Sequence, residues 1–143
     1  MRVRGYSLLA SAPFAFSVFL ASGQEEMRSV QSGVFTPEQA DRGAEAFEES
    51  CRDCHQLDEF SDGAYMEGWS GQTAEALIDQ IRSSMPQDNP GSLKRKAYVD
   101  IAAFLFRQNG LPSGESEMDA TSAEQIRIEG PYRGPSEEDL SER

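Results

Sequence analysis

The sequence predicts a small all-α domain of about three main helices. Three stretches carry apolar residues at helical spacing, and each is bounded by capping, glycine or proline signals. No region is strand-rich, and no internal repeat is visible. The chain has 143 residues, room for one domain of ordinary size.

The first helix is expected over about 37–50. Thr36 is a capping residue, Pro37 suits the first helical position, and Gln39 completes a capping box. Ala40, Gly43, Ala44 and Phe47 then recur on one face. Residues 56–72 hold glycines 63, 68 and 71 and aromatics Phe60, Tyr65 and Trp69, which reads as a loop with little regular structure. Thr73 caps a second helix running to about Ser84, with Leu77, Ile78 and Ile81 on one face; Pro86 ends it. A turn-rich connection over 86–92 leads to a third helix from about Leu93 to Gln108. Tyr98, Ile101, Ala102 and Leu105 share one face of it, and Asn109-Gly110 is its stop.

The ends read differently. Arg2 and Arg4, an uncharged apolar run over 7–20 and small residues at 21–23 have the pattern of a secretory signal peptide, residues 1–23. The run is shorter than the roughly 20 residues that span a bilayer, and Pro13 interrupts it. An uncleaved anchor is the alternative; after cleavage no membrane span is expected. Residues 24–35 are expected as a loose polar lead and 36–110 as the domain. Residues 111–143 are expected as an acidic tail rich in Pro, Gly and Ser, lying on the surface or disordered. Within it, 125–130 alternates enough for a short strand or extended arm.

Twenty-five acidic and 13 basic residues give a formal net charge of −12. Nucleic-acid binding is excluded as a function, because phosphate contacts need a basic face. The acidity suits either solubility or steering toward a basic partner.

The chain's two cysteines and single histidine all fall in Cys51-Arg52-Asp53-Cys54-His55. Two thiols three positions apart can each join one vinyl group on the same edge of a haem, and the next residue is then turned under the iron. The run reads as a c-type haem attachment site, with His55 the proximal ligand. Three other chemistries compete: a disulfide, a thioredoxin-like redox pair and zinc. The disulfide would close a tiny loop, the redox pair belongs to a fold with alternating strands, and structural zinc takes four ligands. With one histidine, bis-histidine ligation within the chain is excluded, and hydrolytic Ser-His-Asp or Cys-His readings lose their base. For the distal position, Met85 follows the second helix and precedes Pro86, which would rigidify the turn. Met66 is its rival. Met27 and Met118 fall in the expected loose ends, Met1 leaves with the signal, and core filling is methionine's ordinary alternative.

Over residues 36–110 the order of helix, C-x-x-C-H, loop, helix, Met-Pro and final helix resembles the class I cytochrome c family. Gly43 and Phe47 look like that family's first-helix contact pair, with Ile101, Phe104 and Leu105 the matching pattern on the last helix. The resemblance implies a cytochrome c-like fold around one covalent haem c, with His55 and Met85 as iron ligands. It also implies a propionate contact from Trp69, weighed against a plain core or rim role. The stretch from Met85 to Leu93 is similar to cytochrome subunits or domains that accompany quinoprotein (PQQ) dehydrogenases.

The expected function is therefore a periplasmic electron carrier rather than an enzyme. Its expected partners are redox proteins, a PQQ-dependent dehydrogenase and a terminal oxidase among them. The alternatives are a dedicated electron-transfer subunit of a dehydrogenase complex, and a haem-based sensor or small redox enzyme with an open iron site.

Overall fold

The computed structural model describes residues 26–132. The expected signal segment and the last eleven residues of the expected tail lie outside them. Four helices follow in chain order: α1 (Pro37–Ser50), α2 (Ala64–Glu67), α3 (Ala74–Ser84) and α4 (Arg95–Gln108). α2 is a single turn, so the three long helices are those expected from the sequence. Two short strands, β1 (Arg28–Ser29) and β2 (Ile126–Arg127), pair in parallel, Arg28 opposite Ile126 and Ser29 opposite Arg127. The architecture is all-α. Among the described residues, no helix is long and apolar enough to cross a membrane.

The helix ends follow their caps. The Thr36 hydroxyl accepts the Gln39 N–H at 3.1 Å, and that of Thr73 accepts the Ala76 N–H at 3.2 Å. α4 closes in a Schellman turn. Gly110, at φ 69°, lets its N–H reach the Arg107 carbonyl and the Leu111 N–H reach that of Phe106, at 2.9 and 3.1 Å. The loop of 56–72 is more ordered than its composition suggests: a 3₁₀ turn over Leu57–Phe60 precedes α2.

The core is organised by α1 crossing α4. Gly43 is the point of closest approach, where a Cβ would lie 1.9 Å from the Asp100 carbonyl oxygen. One turn on, the Phe47 and Phe104 rings meet with centroids 5.6 Å apart. This is the contact pattern expected from the resemblance. α4 is buried nearly all round, from Tyr98 to Phe106, because other segments cover the faces that α1 leaves free.

Three expectations are corrected. The Gln39 side chain does not complete a capping box. It is fully buried, donates from Nε2 to Asp100 Oδ1 at 3.1 Å and to the Met118 carbonyl at 2.7 Å, and accepts the Met118 N–H at 2.9 Å. The lead of 24–35 is not loose where it is described: Val30, Val34 and Phe35 are core residues. Nor is the segment after residue 110 a surface tail as far as residue 132. Leu111, Met118, Ala123, Ile126 and Ile128 are buried, and Met118 is therefore no loose-end methionine. The 111–132 arm runs back beside α3. It bonds Gln72 and Gly71 through Ile128, both at 2.8 Å, and pairs with β1. The alternation expected at 125–130 matches β2, with Ile126 and Ile128 buried; elsewhere in the two segments the buried apolar side chains follow no regular spacing.

Candidate haem site

The C-x-x-C-H run leaves the end of α1 as a tight turn. The Cys51 N–H still bonds the Phe47 carbonyl at 2.8 Å. The Cys54 and His55 N–H groups both return to the Cys51 carbonyl, at 3.1 and 3.0 Å. Both cysteines are thereby brought to one wall of a cleft, with His55 beside them. Cys51 is half-buried, and burial pushes its thiol pKa up; Cys54 is exposed. The two are not disulfide-linked. Among the described residues, no three His, Cys, Asp or Glu side chains converge as a metal site, so these residues form no zinc-type cluster.

The cleft has two lobes that share Cys51, His55 and Met85. The wider, of about 670 Å³, opens between the cysteine turn and Met85 to Asp88. Glu49, Asp53 and Asp88 line it, and no lysine or arginine does. The inner lobe, of about 260 Å³, is apolar, walled by Phe47, Phe60, Trp69, Ile81, Ile101 and Leu105 among others. The apolar inner lobe suits the face of a flat macrocycle, and the wider lobe leaves room for its edge. The side chains suit a covalent haem: two thiols to join its vinyl groups and an imidazole for its iron on one side, and a thioether on another wall.

Met85 is the C-cap of α3 and lines both lobes. Its backbone is pinned: its N–H bonds the Ile81 carbonyl at 2.8 Å, and its carbonyl accepts the Tyr98 hydroxyl at 2.9 Å. Met66, the rival, is fully buried in α2 and lines neither lobe. Trp69 and Tyr65 both line the inner lobe. Burial raises the Tyr65 pKa, and the Trp69 side chain works against that rise.

Four residues of the site were not singled out as such from the sequence. Glu59 faces the His55 ring, its Oε2 3.2 Å from Nδ1. Its carboxyl is held below the ordinary range, first by the Gln56 N–H and then by His55. Asn109 is fully buried and ties α4 to the loop behind His55: its Nδ2 donates to the Phe60 and Leu105 carbonyls at 2.6 and 2.8 Å, and its Oδ1 accepts the Gly63 N–H at 3.2 Å. Tyr98 fixes Met85, and Tyr65 packs edge-on to Phe60 at 5.0 Å. Glu59 alone had a legible signal, lying one helical turn after the histidine.

Residues 38–105 match the family model described as cytochrome C oxidase, cbb3-type, subunit III, a span just under half of the chain. No curated protein and no solved structure matched. The matched segment contains α1 from Glu38 on, the haem motif, α3, Met85 and α4 as far as Leu105. The match supports a class I c-type cytochrome domain, with covalent haem c and its iron as the cofactor and electron transfer as the role.

Proposed function

We propose that the protein is a periplasmic mono-haem cytochrome that carries single electrons between redox proteins, with its haem on Cys51 and Cys54 and its iron between His55 and Met85. The observation that carries this reading is the cleft itself, which has the C-x-x-C-H turn on one wall and the pinned Met85 on another. Bound haem c supplies a one-electron ferrous/ferric couple. The chain's own part is to hold and surround that couple. His55 presents Nε2 while Glu59 occupies Nδ1, and Tyr98 holds the Met85 turn in place. Phe47, Phe60, Ile101 and Leu105 exclude water from the inner lobe. Trp69 and Tyr65 place polar hydrogens on its wall, suited to a propionate.

The wider lobe opens among carboxylates, which fits transfer to a basic partner through a small, short-lived complex. The donor we favour is a quinoprotein dehydrogenase, from the likeness of residues 85–93, and the acceptor a terminal oxidase. The match to an oxidase subunit family favours a second reading, a dedicated subunit of a larger redox complex. Rapid mixing of the pre-reduced protein with basic and acidic redox proteins over a salt series tests the carrier. Transfer should be faster to the basic partner and fall with salt. Salt-independent transfer would contradict that docking mode, and stable co-purification with one enzyme would establish the subunit reading.

A further inference from the structure

The Glu59 carboxylate is not a free surface group. Its Oε1 accepts the Gln56 backbone N–H at 2.7 Å, in a reciprocal capping box that closes the Leu57–Phe60 turn. That leaves Oε2 in place, 3.2 Å from Nδ1 of His55. An ionised carboxylate only accepts hydrogen bonds, so Nδ1 carries the proton and Nε2 keeps its lone pair for a ligand. Phe60 packs against the same ring in a tilted edge contact, centroids 5.3 Å apart. The imidazole is thus held by a charged acceptor and an aromatic edge, both from one short turn.

We infer that Glu59 is a positioning residue for the proximal ligand: it fixes the ring plane and tautomer of His55 and lends the imidazole anionic character that favours ferric iron. The inference rests on His55 as the iron ligand. A carboxylate partner makes a ligating histidine more basic, and second-sphere hydrogen bonding is one of the levers that set a haem's potential. Methionine as the distal ligand raises the potential. Glu59 and Met85 therefore pull in opposite directions, and the working potential reflects both. Glu59 is about half exposed, its side chain 49% accessible, so water weakens its influence.

The test uses the haem-loaded full chain. Glu59→Gln keeps an acceptor for Nδ1–H and removes the charge. At a fixed solution potential its ferrous-to-ferric ratio should rise roughly threefold to tenfold, the upper figure being about 59 mV for a one-electron couple. Asp58→Asn is the control, because it removes an exposed charge one residue away without touching the ring; it should shift the ratio less than twofold. Glu59→Ala removes the acceptor as well, so the hyperfine-shifted haem methyl resonances of the ferric protein should redistribute as the ring turns. If Glu59→Gln leaves the potential at the wild-type value, or Asp58→Asn moves it equally, the inference is overturned. A chain that attaches no haem would instead defeat the site reading itself, so the two failures are distinguishable.

Discussion

Gly43→Ala tests the geometry on which the site is mounted. The added Cβ would lie 1.9 Å from the Asp100 carbonyl oxygen, 2.5 Å from its carbon and 2.8 Å from Phe104 Cβ. Two of these atoms are α4 backbone and cannot swing aside. Regaining even a tight contact of 3.4 Å needs a separation of about 1.5 Å at the crossing, which also parts Phe47 from Phe104. Overpacking of this kind costs about 1–3 kcal/mol, and rigid backbone puts it at the upper end. Alanine's better helix propensity returns about 1 kcal/mol. The net loss should be about 2 kcal/mol, a large share of the roughly 5–15 kcal/mol typical of a domain. Urea unfolding of the haem-loaded protein measures it. Gly71→Ala is the comparison, since a Cβ there meets nothing within 4 Å and only its φ of +84° resists, at a cost of about 1 kcal/mol. A Gly43→Ala midpoint within 0.5 kcal/mol of wild type, as a rough threshold, would refute the close-crossing argument.

Gln39→Ala should cost roughly 2–3 kcal/mol in urea unfolding, because it strands the buried Met118 amide and carbonyl and removes one partner of Asp100; a loss below about 0.5 kcal/mol would mean the arm is held elsewhere. The Glu117 carboxyl is held below its ordinary value, first by Arg42 and then by Lys96. Its folded pKa is depressed, so its stabilisation is present above the unfolded value and is lost as pH falls from about 5 through the folded value. Glu117→Gln should flatten the acid limb of a stability–pH curve slightly, the pair being solvent-screened, and leave the neutral limb's slope unchanged. Met85→Ala should lower the reduction potential and open the reduced iron to carbon monoxide, whereas Met66→Ala should destabilise the core by roughly 2–5 kcal/mol and leave ligand binding closed; the reverse pattern would exchange their roles.

The three long helices were legible because each carried a local signal of its own: Thr36 and Pro37 for α1, Thr73 for α3, Asn109-Gly110 for the end of α4. The haem motif was legible because its spacing is set by covalent chemistry rather than by the fold. What the sequence hid was long-range. Gln39 carries the spacing of a capping box, yet its amide serves a chain segment 79 residues away. Val30, Phe35 and Met118 fill the core from segments where no period of 2 or 3.6 marks burial. Asn109 reads as a helix stop and is one, but it also anchors the loop behind His55, a second use that only the packing reveals.

The central claim is an iron held from both sides by this chain. Its most direct test is the absorption spectrum of the matured protein, reduced and then exposed to carbon monoxide. The account predicts haem c bands that barely change on mixing, because His55 and Met85 would both hold the iron. A rapid shift to a carbon-monoxide spectrum would contradict the claim and point to an open iron site, and the absence of haem bands after proper maturation would contradict the account as a whole.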